Sequence, residues 1–238
     1  MTPKRWRDWQ SLEYWSEWTA ATGSERGTNM KITKFGHSCL LVEEASARVL
    51  FDPGKWSSGF EALVGLTAVC ITHQHADHLD AEKVSKLLDA NPSAQVYADE
   101  GAAQDLGAAG IAATVVAAGT RFDAGVPVEV LGTGHAPIHP DIRPIGNVGY
   151  LLADSFFHPG DAIEVLDERI EVLAIPAVAP WMRASETVDY LRAVAPRTAI
   201  PIHEAVASMP EMYHRYLRDL GPDGTNLVVP NGRTPVDV

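Results

Sequence analysis

The sequence predicts an α/β layered domain. Short apolar runs that read as strands begin at Met30, helix-spaced segments lie between the later runs, and strand after strand ends in His or Asp. The first runs, "MKITKFG", "SCLLVEE" and "ARVLFDPG", are short β-like segments separated by turn residues. "LTAVCITH" is almost unbroken in its apolar character, as expected of a strand covered on both faces. "AEKVSKLLDANP" has helical spacing and stops at Asn-Pro. "AQVYADE" and "ATVVAAG" read as strands, with a helix over "GAAQDLGAAG" between them. In the second half, "PVEVLGTGH", "NVGYLLADSFFHPGD" and "EVLAIPAV" are strand-rich. "SETVDYLRAVAP" reads as a helix capped by Ser185 with Glu186 in its first turn. "RTAIPIH" is a strand, "PEMYHRYLRDLG" a helix ended by Gly221, and "NLVVPNG" the expected final strand. In such a fold the site collects at the strand ends.

Residues 1–29 differ from everything after them. Four of the six tryptophans, Trp6, Trp9, Trp15 and Trp18, fall there, at spacings that read as a helix. A repeat of three slips by about 60° per step against the 3.6-residue turn, so these rings wrap around the helix rather than forming one stripe. The polar "GSERGTN" follows as a hinge. The expected division is a Trp-rich helical extension over 1–29 and one main domain over 30–238. The extension would dock on the main body or form a homo-oligomer contact.

The chain has 238 residues, enough to bury a substantial core. Its formal net charge of −12 argues against nucleic acid as a partner, because phosphate binding draws on clustered Lys and Arg. Cys39 and Cys70 sit in apolar stretches without a CxxC pattern and read as buried free thiols. No run approaches the roughly 18 apolar residues of a membrane span, and the first thirty residues lack the apolar core of a signal peptide. The expectation is a cytoplasmic protein with no membrane partner.

The segment "CITHQHADHLD", residues 70–80, holds three of the nine histidines. In extended chain, residues two apart share a side, so His73 and His75 project together. Asp77 and His78 follow in a turn before the next helix and make a second carboxylate–imidazole pair. Two such pairs suit two metal ions. Zinc takes about four ligands each, so the segment supplies about half of what two ions need. His135, Asp161 and His203 each close an apolar run further along and are the candidates for the rest.

"HQHADH", followed in order by a later His, Asp and His, resembles the HxHxDH signature of the metallo-β-lactamase superfamily. The resemblance spans roughly residues 30–238. "MKITKFGHSCLLVE", "HPGD" and "IPIH" look like the stand-alone branch of metal-dependent hydrolases that contains ascorbate-6-phosphate lactonases. It implies a four-layer αββα sandwich with two divalent ions at one edge. His73, His75 and His135 would hold the first ion, Asp77, His78 and His203 the second, and Asp161 would bridge them. Asp52 would support the ligands from outside. His139 is an alternative to His135.

Three residues are the candidates for catalysis. Asp77 would handle the proton, His37 would carry a proton or touch substrate, and His158 would act from beside Asp161. His214 reads as a surface residue, and Trp181 and Arg183 would line the pocket. The implied activity is attack by a metal-activated hydroxide on a small-molecule substrate, a lactone first and a phosphodiester as the alternative. A non-catalytic or partner-binding member of the fold is the further alternative. Di-iron redox relatives carry Glu where this chain has His75, which sets that class aside. Zinc suits the histidine-rich set, and the carboxylates leave manganese or iron open.

Overall fold

A computed structural model describes residues 30–132 and 134–238. The Trp-rich stretch, with the oligomer contact expected of it, lies outside them. In chain order the elements are β1 (Lys31–Lys34), β2 (Leu40–Glu44), β3 (Ala47–Phe51), β4 (Ala68–Ile71), α1 (Ala81–Asp89), β5 (Gln95–Ala98), α2 (Glu100–Ala108) and β6 (Thr114–Val115). The second half follows with β7 (Arg121–Asp123), β8 (Pro127–Leu131), β9 (Gly149–Leu152), β10 (Phe156–His158) and β11 (Val172–Pro176). It continues through α3 (Ala184–Val194), β12 (Thr198–Ile202), α4 (Pro210–Leu220), β13 (Asn226–Leu227) and β14 (Val236–Asp237).

The strands form two seven-stranded sheets, ordered β14-β1-β2-β3-β4-β5-β6 and β13-β12-β11-β10-β9-β8-β7. Hairpins join the antiparallel pairs β1–β2, β2–β3, β7–β8, β8–β9 and β9–β10, and α-helices join the parallel pairs β4–β5, β5–β6, β11–β12 and β12–β13, while β3–β4 and β10–β11 are parallel across longer loops. Between the sheets, Ile32, Val42, Phe51 and Cys70 pack in one cluster with Val128, Tyr150, Phe156, Ala174 and Ile200. On the outer face of the first sheet, Leu50, Val69 and Ile71 meet Val84 and Leu87 of α1 and Leu106 of α2. On the outer face of the second, Leu173 and Ile175 meet Tyr190 and Leu191 of α3 and Leu217 of α4. The expected helix–sheet–sheet–helix order is therefore present. β4 shows why its sequence is apolar throughout: Ala68 and Cys70 face the inner layer while Val69 and Ile71 face the helices.

α1, at nine residues, is too short to persist alone in water. Burial of Val84 and Leu87, worth roughly 1.5–3 kcal/mol each, holds it against the sheet. Its first turn is closed by Asp80, whose carboxylate accepts from the Lys83 amide at 3.2 Å. Both cysteines are buried and free. No helix among the described residues is long and apolar enough to cross a membrane.

Several expectations need correction. α3 starts two residues earlier than a Ser185 cap implies: Arg183 is its N-cap, and Glu186 reaches back to the Arg183 amide at 2.6 Å. Glu186 thus closes the turn in place of a serine hydroxyl. "NLVVPNG" is not the last strand. β14 follows it and crosses back to the first sheet, pairing antiparallel with β1. His214 is only 8% exposed, with Nε2 3.6 Å from the Glu204 carboxylate, because α4 turns that face inward.

Candidate metal centre

The residues of interest follow the C-terminal ends of β3, β4, β8, β10 and β12. β4 runs out at Ile71, and the next residues form a tight turn in which the His78 and Leu79 amides both donate to the His75 carbonyl at 2.9 Å. The loop after β3 braces this turn. The Lys55 amide donates to Ala76 at 2.7 Å, and the Asp80 amide to Pro53 at 3.0 Å. Gly54 lies between these two contacts. A Cβ there would sit 1.8 Å from the Asp77 carbonyl oxygen, so only glycine lets the two backbones approach this closely.

Two groups of donors result. His73, His75, His135 and Asp161 form one, and His37, Asp77, His78 and His203 the other, with ligand atoms in each within 4.8 Å of one another. All seven residues expected to ligate are therefore brought together, and His37 joins the second group. Asp161 lies at the junction. Its oxygens are 3.0 Å from His78 Nε2, 3.1 Å from His203 Nε2 and 3.2 Å from His135 Nε2. Those three nitrogens are buried and make no hydrogen bond. Unpartnered buried polar atoms of one kind, converging on one carboxylate, fit a site built for cations.

The other ring nitrogens explain this orientation. Nδ1 of His135 meets the Ala136 carbonyl at 2.6 Å, that of His203 the Val178 carbonyl at 2.9 Å, and that of His78 the Asp52 carboxylate at 2.7 Å. Donation from Nδ1 leaves the lone pair on Nε2, where a metal can take it. Asp52 is fully buried and also accepts from the Thr72 amide and hydroxyl, each at 2.8 Å. It thus touches His78 from outside the donor groups. His37, Asp52 and His203 all have positive φ, at 42°, 44° and 67°, strained backbone of the kind that clusters at functional sites.

His158 stands outside the donor groups in a supporting place, its Nδ1 3.9 Å from Asp52 Oδ2. Its Nε2 meets the Ser38 carbonyl at 3.0 Å, and its Nδ1 accepts from the Gly160 amide at 3.3 Å. The ring is buried against Phe51, so His158 packs behind Asp52 and belongs to neither donor group. His139 is an exposed residue beside Asp141 and also belongs to neither group, which leaves His135 as the ligand candidate. His37 does face the site, with Nε2 3.0 Å from Asp77 Oδ2.

Charges in the cluster are divided. Burial keeps His73 well below the ordinary imidazole value, so it stays neutral and able to ligate. Burial also opposes protonation of His203, but Asp161 and Asp77 outweigh it and raise the group to about 9. A cation held by His203 would therefore have to displace its proton. In the metal-free chain this imidazolium adds stability that is complete below its unfolded pKa and is lost as pH rises through about 9. Metal binding should run the opposite way. Zinc affinity measured by competition is expected to rise roughly tenfold per pH unit per proton released, flattening near pH 9. A flat profile from pH 6.5 to 9 would contradict this placement of the proton.

Residues 31–203 match the family described as Beta-lactamase superfamily domain. The chain belongs to that family. The protein Rv0786c of Mycobacterium tuberculosis is 50% identical over 185 residues, covering 75% of this chain and 86% of that protein. A UPF0173 metal-dependent hydrolase of Opitutus terrae is 28% identical over 191 residues, covering 73% of this chain and 84% of that protein. Among solved structures, the metallo-beta-lactamase fold protein YhfI from Bacillus subtilis is similar at a TM-score of 0.68 and 14% identity, over 88% of this chain and 99% of that one. That likeness concerns the fold.

Two further residues of this β-lactamase superfamily domain hold Asp161 in place. Asn147 accepts from the Asp161 amide at 3.0 Å and donates to the Pro159 carbonyl at 2.9 Å, clamping the "PGD" turn. A single Asn ahead of a strand carries no pattern that would reveal this. Trp181, expected only as a pocket wall, donates from its indole to Asp161 Oδ2 at 2.8 Å.

Proposed function

We propose that this chain is a metal-dependent hydrolase whose substrate is a small cyclic ester. His73, His75 and His135 would hold one divalent cation, Asp77, His78 and His203 a second, and Asp161 would serve both. The observation that carries this reading is the convergence of three otherwise unpartnered Nε2 atoms, drawn from both donor groups, on the Asp161 carboxylate. Divalent cations at such a site supply Lewis acidity and bring the pKa of bound water down to about 7. A histidine-rich set favours zinc, while the carboxylates also admit manganese or iron.

The chain's own groups would do the rest. Burial lowers His37, so its imidazole is neutral and able to receive a proton, and it is held against Asp77 by their contact at 3.0 Å. This supports Asp77 and His37 as the pair that moves the proton. Beside His75 and His135, a cavity of about 130 Å³ is lined by Ile138, Ile142 and Ile145 with Arg143. Among the described residues no Asp or Glu lines it, in a chain of net charge −12. Its size and walls suit a compact acyl group, and the preference for a lactone follows the branch resemblance of "MKITKFGHSCLLVE", "HPGD" and "IPIH".

Metal analysis paired with a panel of lactones and bis(p-nitrophenyl) phosphate tests the reading. Lactone turnover is expected to vanish on chelation and return with added zinc or manganese. Full turnover by a rigorously metal-free sample would rule the mechanism out, and turnover of the phosphodiester alone would replace the substrate.

A further inference from the structure

We propose that Trp181 is a positioning residue that fixes the Asp161 carboxylate for service to two cations. This rests on the reading that Asp161 bridges them. Trp181 lies between β11 and α3, in "APWMRASE", outside both donor groups. Its Nε1–H donates to Asp161 Oδ2 at 2.8 Å, the oxygen that also faces His135 and His203. The indole stands almost midway between these two rings, with centroids 6.1 Å from His135 and 6.3 Å from His203. It therefore touches the junction of the site and favours neither half.

The residue type matters. An indole N–H donates and cannot accept, so it can hold a carboxylate without competing for the ion. A His, Asp or Glu in the same place would offer a further ligand. Phenylalanine would keep most of the ring's packing and lose the donor. A carboxylate freed from this bond could turn about its Cβ–Cγ axis, and each cation would then have to restore the orientation on binding. Partners that hydrogen-bond metal ligands commonly account for about 10–100-fold in metal affinity.

The test is a zinc titration of the full chain against a competing chelator, with bound metal counted and with thermal unfolding of the metal-free protein. Wild type is expected to bind two ions. Trp181→Phe is expected to bind both about 10–100-fold more weakly, with metal-free unfolding close to wild type. If phenylalanine unfolds the chain, benzothienylalanine at 181 removes the N–H within a ring of nearly the same size. An unchanged titration, or weakening of one ion alone, overturns the role given to Trp181 and leaves the hydrolase reading standing. A wild-type chain that takes up no zinc, manganese or iron overturns both.

Discussion

Replacing Asp161 with alanine should abolish hydrolysis, lowering kcat/KM by at least about a thousandfold. Metal-ion catalysis is worth several kcal/mol of transition-state stabilisation, and each 1.36 kcal/mol is about tenfold in rate. Asp161 is 2% exposed and has an imidazole nitrogen of each donor group within 3.2 Å. Without it, both proposed cations lose a ligand at once. The buried His78 also loses one of the two carboxylates that raise its pKa against burial. Asp161→Asn, which keeps the shape and removes the charge, is expected to be nearly as inactive. Steady-state kinetics and metal counting on the two variants check this. Either variant working within tenfold of wild type with two ions bound would show that Asp161 is not the shared ligand.

The second large effect is structural. Gly54→Ala places a Cβ 1.8 Å from the Asp77 carbonyl oxygen, 2.1 Å from its carbon and 2.6 Å from the His78 amide nitrogen. All three are backbone atoms, so no side chain can swing aside. Either the loop after β3 or the Asp77–His78 peptide has to move by more than about 1 Å to reach normal contact distance. Overpacking of this kind is expected to cost about 3 kcal/mol. In a domain of this size that is a fall in Tm of roughly 6–12 °C. Because the displaced peptide carries Asp77 and His78, uptake of the second ion should suffer more than uptake of the first. Calorimetry with and without zinc measures both effects, and a variant with wild-type Tm and full metal content would contradict the packing.

How far the sequence could be read depended on whether a feature was local. The layered α/β fold follows from periodicity, and β4 is the clearest case, since a strand buried on two faces has to be apolar at every position. The seven proposed ligands were legible because four lie in one dense metal-capable segment after an apolar run and the other three each close an apolar run of their own. His158 was read as a candidate from its nearness to Asp161 in sequence, which gave no sign that backbone groups occupy both its nitrogens. Asn147 and the indole of Trp181 act through single long-range hydrogen bonds to Asp161, which leave no periodic or spacing signal. β14 was missed because it has two paired residues and pairs with β1, about 200 residues away in sequence.

The proposed ligands come from two separately wound sheets. The turn after β4 contributes four of them, and His135, Asp161 and His203 follow strands of the other sheet. On the proposed loading, each ion rivets one half of the molecule to the other. A ligand bound only by the native state adds about 2.7 kcal/mol at a hundred times its Kd. Scarcity of free ion would then cost the cell more than turnover, because the same shortage would shorten the protein's survival against proteases.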